Sequence, residues 1–188
     1  HSPVVMISGF GATVLAEKQE DGSLKRVFPP DTKEILKLLG VNAPDLITGI
    51  IKLIAQKGTD GIEKPMREII TSIVEPLRMN DDGTSFYDIV PILSSAKDTS
   101  LEAFTKNGQL DLVPYTGSEF LDMEVIGDEI GDDHVFNFLY DWRLSHADVA
   151  AQLHDYLAEV CALTGHDKVS VYSISQGCLL LGVYMYEY

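Results

Sequence analysis

The sequence predicts an α/β protein built on a doubly wound, mostly parallel sheet. Three short runs of β-branched and aromatic residues predict strands, at Val4–Ile7, Val135–Leu139 and Val169–Tyr172. A helical pattern joins the second run to the third, and a strand-helix-strand crossover connects parallel neighbours with right-handed topology in nearly all cases. Because ligands of open parallel sheets bind at the carboxyl ends of the strands, the segments that follow the three strands are expected to meet in one crevice.

The crossover helix has clear start and end signals. Ser145 can cap it, with Asp148 three residues on, and Gly165 can end it. Four apolar residues between them recur at helical spacing: Val149, Leu153, Leu157 and Val160. The pattern predicts a helix with one face packed on the sheet.

The core is predicted to comprise residues 1–18 and 131–188, and residues 19–130 form a long excursion between the first two strands. Apolar periodicity predicts three helices in the excursion, one after Asp31 ending at Gly40, one from Pro44 to Gly58, and one from Pro65 ending before Pro76. We interpret these helices as a cap over the crevice that holds an apolar substrate. Ordinary helical packing beside the sheet is the alternative.

Composition excludes several classes of partner. The chain has 188 residues, 45% of them hydrophobic and 23% charged, which is typical of a globular protein with a substantial core. A net charge of −15 argues against nucleic acid or an anionic membrane surface as an electrostatic partner. No apolar run approaches the roughly 20 residues that cross a bilayer.

No metal site and no cofactor are predicted. Seven acidic residues lie between Glu119 and Asp133 without a Lys or Arg, but they lack the spacing of a calcium loop and predict a solvated acidic loop. The two cysteines, Cys161 and Cys178, lie in apolar helical surroundings and are predicted to be small core residues.

The third predicted strand leads into Ser173-Ile174-Ser175-Gln176-Gly177 and then into a helical run. A serine at the tip of a strand-to-helix turn exposes its hydroxyl, and the helix behind it directs N–H groups at negative charge. The usual pattern has glycine two residues before the serine as well as two after it, and Ser173 is small enough to fit. Two interpretations remain open, a nucleophile elbow and an ordinary turn with a surface serine.

Acyl transfer through a serine also needs N–H donors for the oxyanion. The Gln176 N–H directly follows the candidate nucleophile, and Gly177 permits the turn. A second donor is expected from the turn after an earlier strand, where Gly9 and Gly11 flank Phe10 and let the backbone approach a ligand closely. We therefore assign the second N–H to Phe10, with a plain glycine-rich turn as the alternative.

The histidines differ in their distance from Ser175. His134 and His166 precede their strands, which places them on the order of 20 Å away at the opposite edge of the sheet. His154 is predicted on the outer face of its helix. His146 lies on the correct side, although helix capping or solvent exposure is its expected role.

Three motifs resemble the lecithin:cholesterol acyltransferase-like family of α/β hydrolases, which includes lysosomal phospholipases and bacterial acyl hydrolases. Residues 3–15 are similar to the opening strand and oxyanion turn of the family, with Ser8 where a proline is usual. Residues 138–143 contain its Tyr-Asp-Trp-Arg signature, the most specific of the three motifs. Residues 168–177 resemble its elbow, with Ser173-Ile174 where the family has Gly-His or a close variant.

The resemblance implies a serine-dependent acyl-ester hydrolase or acyltransferase of the lipase or phospholipase type, acting on a lipid ester. Ser175 is then the acyl-enzyme nucleophile, the amides of Phe10 and Gln176 form the oxyanion hole, and Trp142 and Arg143 have a structural or pocket-wall role. Two alternatives are a catalytically inactive binding module and a serine hydrolase of a non-lipid ester or amide.

The family places its triad Asp and His well beyond the elbow helix, at positions that these residues do not include. The resemblance therefore implies the amino-terminal half of such an enzyme, with a second polypeptide or a carboxyl-terminal segment supplying both groups. A sheet that ends here exposes a strand edge, so the isolated chain is expected to need a partner polypeptide. Transient contact with a membrane or lipid surface is compatible with the substrate, and an extracytoplasmic or secreted location is favoured.

Overall fold

A computed structural model describes residues 1–31, 33–40, 44, 60–112 and 119–188. They form a mixed α/β protein, about half helical. The strands are β1 (Val4–Ile7), β2 (Leu15–Lys18), β3 (Leu24–Phe28), β4 (Ile89–Pro91), β5 (Val135–Phe138) and β6 (Ser170–Ser173). The helices are α1 (33–40), α2 (Asp60–Val74), α3 (Leu101–Lys106), α4 (Glu119–Ile130), α5 (His146–Thr164) and α6 (Gln176–Glu187).

The three predicted strands are present and form a parallel sheet in the order β5-β1-β6. The register pairs Val4 with Val135 and Ser170, and it pairs Ile7 with Phe138 and Ser173. The carboxyl ends of the three strands are therefore level, and the segments that follow them start side by side.

The two faces of this sheet pack against different helices. On one face, Met6 and Val135 belong to a buried cluster with Leu101, Phe104 of α3 and Met123 of α4. On the other face, the Phe138 ring lies 5.1 Å from the ring of Tyr156 on α5. Burying one such side chain contributes roughly 1.5–3 kcal/mol, so both faces add to stability.

Helix α5 matches its prediction. The Ser145 hydroxyl accepts the N–H of Ala147 at 3.3 Å, and Gly165 ends the helix in the left-handed conformation with φ 70°. The four residues of its predicted apolar face are all buried: Val149, Leu153, Leu157 and Val160.

The Tyr156 side chain connects α5 to strand β5 and to the segment before α3. Its hydroxyl lies 2.6 Å from the Thr99 hydroxyl and donates to the Asn137 carbonyl at 3.0 Å. Burial raises the pKa of Tyr156 above its ordinary value.

The described residues divide into two compact units, His1–Leu15 with Val90–Tyr188, and Ala16–Ile89. This division differs from the expected one, because residues 90–130 belong to the unit that contains the parallel sheet. Leu101, Phe104 and Met123 draw that segment into the core, since each is almost fully buried against the sheet residues.

The excursion also contains strands, because β3-β2-β4 form an antiparallel sheet that the sequence did not predict. The predicted helix after Asp31 is present as α1, and Asp31 accepts the N–H of Glu34 at 2.7 Å at its start. Helix α2 begins at Asp60 rather than at Pro65, which is buried inside the helix, and it ends before Pro76 as predicted. The predicted helix from Pro44 to Gly58 lies outside the described residues, Pro44 excepted.

Two sequence interpretations are wrong. The acidic stretch from Glu119 is helix α4 rather than a loop, because Met123 is buried and Ile126 and Ile130 pack beside it at helical spacing. Cys178 is exposed rather than part of the core, and neither Cys161 nor Cys178 forms a disulfide.

Candidate active site

The structure brings the three predicted turns together at the carboxyl end of the parallel sheet. The Tyr140 hydroxyl, after β5, donates to the Ser8 carbonyl, after β1, at 2.8 Å. The Tyr140 N–H donates to the Thr13 hydroxyl at 3.3 Å. On the other side of β1, the Ile174 N–H donates to the Ile7 carbonyl at 3.0 Å. The turn after β1 is therefore held between the other two.

Ser175 occupies the tip of the turn between β6 and α6. Its backbone has φ 53° and ψ −121°, and it is the sole non-glycine residue with positive φ among those the structure describes. Such a conformation costs about 1–3 kcal/mol and persists where the surroundings enforce it. The side chain is exposed, as expected for a nucleophile presented to a substrate.

Two glycines make this turn sterically possible. A Cβ on Gly177 would collide with the Ile7 carbonyl oxygen and lie 2.9 Å from the Ser8 carbonyl oxygen. A Cβ on Gly9 would lie 2.9 Å from Ser175 Cβ and 3.3 Å from its Oγ. The backbone of the turn after β1 thus lies directly against the Ser175 side chain.

The two predicted oxyanion donors lie next in sequence to Ser175 and to Gly9, the glycine that packs against it. Gln176 is the first residue of α6, and the first N–H groups of a helix have no partner within it. Phe10 follows Gly9, and its N–H donates to no group in the described part of the chain. Gly11 has φ 74°, a conformation that glycine adopts readily.

Trp142 and Arg143 lie in the turn after β5. Trp142 is only 6% exposed, and its ring meets the ring of Phe10 edge-on with the centroids 4.3 Å apart. The buried Arg143 guanidinium forms an ion pair with Asp141, whose Oδ1 also accepts the Arg143 backbone N–H at 3.1 Å. Both residues thus have buried side chains with contacts inside this turn or to the turn after β1.

One contact at this site has no sequence signal. The Gln176 side-chain nitrogen donates to the Trp142 carbonyl at 2.9 Å. Sequence reasoning considered only the backbone N–H of Gln176, because a bond between residues 34 positions apart depends on strand order and has no local pattern.

No histidine in the described part of the chain hydrogen-bonds Ser175. His134 and His166 lie together before β5 and β6, with ring centroids 5.5 Å apart. His154 stacks on Tyr188 at 4.3 Å. His146 opens α5, and its Nε2 is buried without a hydrogen-bond partner among the described residues.

Two searches of the described residues bear on other kinds of site. They contain no group of three or more His, Cys, Asp or Glu side chains placed to hold a metal ion. Among them, no helix has the length and apolar character that spanning a membrane requires.

Comparison with known protein families, with curated proteins and with solved structures gives no significant match. A site at Ser175 is therefore supported by the geometry of the three turns and by the motifs that form them.

Proposed function

We propose that this protein is a serine-dependent acyl-ester hydrolase or acyltransferase of the α/β-hydrolase type. The observation that carries the proposal is the backbone of Ser175, which is held at φ 53° against Gly9 at the end of a parallel strand. Backbone strain of this kind clusters at active sites, where the fold around the residue enforces it. An ordinary turn with a surface serine has no need of it.

The placement of helices supports the finer proposal of a doubly wound sheet. The face with Met6 packs on α3 and α4, and the face with Phe138 packs on α5. Helices on both faces of a parallel sheet are typical of this class of fold, and ligands bind at the carboxyl ends of its strands.

In the proposed reaction, the Ser175 Oγ attacks the carbonyl carbon of the ester while its proton passes to a histidine. The carbonyl π electrons move to the oxygen, and the N–H groups of Phe10 and Gln176 stabilise the resulting oxyanion. Collapse of the tetrahedral intermediate breaks the bond to the leaving alcohol, which takes the proton. Water or an acceptor alcohol then removes the acyl group from Ser175 by the same steps in reverse.

The histidine and its acid partner are proposed to come from a polypeptide outside these residues, either a second chain or a carboxyl-terminal segment. None of the described histidines is hydrogen-bonded to Ser175. Exposed apolar side chains along α6 support a partner surface on this helix, with Leu179 64% exposed and Met185 and Tyr186 more so. The outer edge of β6 is also unpaired within the described residues.

A lipid ester is the proposed substrate because exposed apolar side chains occur in both turns that meet at the serine. Phe10, which is 67% exposed, follows the glycine packed against Ser175, and the exposed Leu179 lies one helical turn after Ser175 in α6. An acyl chain that covers these side chains gains about 25 cal/mol for each Å² of apolar surface removed from water. Such a substrate brings the protein into transient contact with a membrane or lipid surface.

A second candidate function is a catalytically inactive binding module with the same geometry. The observation that favours it is the absence of a histidine bonded to Ser175 among the described residues. A binding module keeps the turn and the apolar surroundings but forms no acyl-enzyme.

Fluorophosphonate labelling of the intact native protein separates the two functions. We expect one covalent adduct on Ser175, visible as a single mass shift, and we expect Ser175→Ala to abolish it. Ser170→Ala removes an exposed serine of β6 and is the matched control, with labelling unchanged. Native protein that shows no Ser175-dependent adduct would contradict the enzymatic proposal.

A further inference from the structure

The Gln176 side chain connects the elbow to the turn after β5. Its Nε2 donates to the Trp142 carbonyl at 2.9 Å. A backbone carbonyl only accepts hydrogen bonds, so the partner fixes which end of the amide faces Trp142. The backbone N–H of the same residue is the proposed oxyanion donor.

Trp142 is a rigid attachment point for that amide. Its turn is held by the buried pair of Asp141 and Arg143, whose Nε lies 2.9 Å from Oδ1. Its ring meets the Phe10 ring at 60° with the centroids 4.3 Å apart. One side chain therefore links Gln176 through Trp142 to Phe10, the two residues proposed to supply the oxyanion N–H groups.

Stability alone does not account for an amide at position 176. The Gln176 Oε1 is buried and has no hydrogen-bond partner among the described residues. A buried acceptor without a partner destabilises a fold, and an apolar side chain of the same length removes that cost. The amide contributes its bond to Trp142 at the expense of an unsatisfied oxygen.

We propose that the Gln176 side chain is a positioning residue for the oxyanion hole. By fixing the first turn of α6 to Trp142, and through Trp142 to Phe10, it keeps the two N–H donors directed at one point. The inference rests on the proposed function and deepens it, because it assigns the alignment of the donors to one hydrogen bond.

The test compares Gln176→Met with Gln152→Met in the intact native protein. Methionine keeps the side-chain length and removes the donor, and Gln152 is exposed on α5, so the control makes the same chemical change away from the site. With a p-nitrophenyl ester we expect kcat to fall about tenfold in Gln176→Met while KM stays within about twofold, because the oxyanion contacts strengthen only in the transition state. Complete loss of one donor costs roughly 10²–10³-fold, so misalignment costs less.

Two further measurements distinguish positioning from a merely structural role. The thermal midpoint of Gln176→Met should stay close to that of the wild type, because removal of the unsatisfied Oε1 offsets the loss of the hydrogen bond to the Trp142 carbonyl. Trp142 is the only tryptophan of the chain, so its fluorescence should become more accessible to acrylamide in this variant and not in Gln152→Met. Trp142→Phe is a second variant, which changes the ring contact with Phe10. Its loss in kcat should not add to that of Gln176→Met, because both variants break the same series of contacts from Gln176 through Trp142 to Phe10.

The outcomes separate this inference from the proposed function. If the wild-type protein has no Ser175-dependent turnover, the proposed function fails and the inference fails with it. If turnover depends on Ser175 but Gln176→Met keeps the wild-type kcat, the positioning role is refuted and the proposed function stands. A rise in KM together with a lower thermal midpoint would also refute positioning, since that pattern indicates a damaged fold.

Discussion

Replacing Ser175 by glycine and by alanine tests the strain at the elbow directly. Both variants lack the hydroxyl, so they differ in their tolerance of φ 53° and in the conformational entropy of the unfolded chain. The strained conformation costs about 1–3 kcal/mol in a residue with a Cβ. Glycine relieves that strain but loses about 0.5–1 kcal/mol through its larger conformational entropy when unfolded. We therefore expect Ser175→Gly to be about 1 kcal/mol more stable than Ser175→Ala.

The measurement is urea unfolding followed by the fluorescence of Trp142. This residue is buried in the compact unit that contains the elbow, and it is the only tryptophan of the chain. Equal slopes with different midpoints would report a change in stability alone. In a chain of this size, 1 kcal/mol corresponds to a shift of about 2–4 °C in Tm.

Ser170 provides the matched pair of controls. It lies in β6 and has an ordinary negative φ, since it is not among the positive-φ residues of the described chain. There, Ser170→Gly should be less stable than Ser170→Ala by about 0.5–1 kcal/mol. If the glycine variant is less stable than the alanine variant at position 175, as it is expected to be at position 170, Ser175 is not strained. The proposed active site would then lose its main support.

Further predictions concern packing at the glycines of α6 and the hydrogen bonds of Tyr156. Gly177→Ala should destabilise the protein by about 3 kcal/mol, because the new methyl group meets backbone rather than a flexible side chain. Gly182→Ala is the control in the same helix, where a Cβ meets nothing within 4 Å, and it should stabilise the protein by about 0.5–1 kcal/mol. Urea midpoints in the reverse order would contradict this packing. Tyr156→Phe should cost about 1–3 kcal/mol at neutral pH through its lost hydrogen bonds. Burial raises the pKa of Tyr156 in the folded protein above its ordinary value of 10.0. Below pH 10.0 the hydroxyl is neutral in both states, whereas at higher pH it ionises more readily in the unfolded chain, so the stability of the wild type falls. Wild type and Tyr156→Phe should therefore converge in stability in alkaline urea titrations.

Local sequence signals predicted the elements that position the site. The Ser145 cap, the Gly165 terminator and the apolar face between them fixed α5 almost to the residue. The β-branched runs fixed three strands, and the crossover rule made them parallel. These signals succeed because each depends on neighbours in the chain, where hydrogen bonding and periodicity act over a few residues.

Features that depend on distant contacts were not predicted. Helix α4 carries several acidic residues, and its buried Met123 gains stability by packing with Phe104 and Val135 in the folded core. The bond from Gln176 to Trp142 depends on the order β5-β1-β6, which places β1 between the two turns that the bond connects. The bond between Gln176 and Trp142 leaves no periodic trace in the sequence, and the helical spacing of Met123, Ile126 and Ile130 lies among acidic residues that favoured a loop.

The serine at position 173, where the usual elbow has glycine, fits the packing of this turn. Gly177 carries the steric demand, because its Cα faces the Ile7 and Ser8 carbonyl oxygens with no space for a methyl group. Ser173 instead ends β6 with its side chain toward α6, where its hydroxyl donates to the Cys178 sulfur at 3.5 Å. The Cys178 thiol in turn donates to the Ser173 carbonyl at 3.2 Å. The two ends of the turn are therefore not equivalent: glycine is required after Ser175, whereas a small polar side chain before it has both room and a partner.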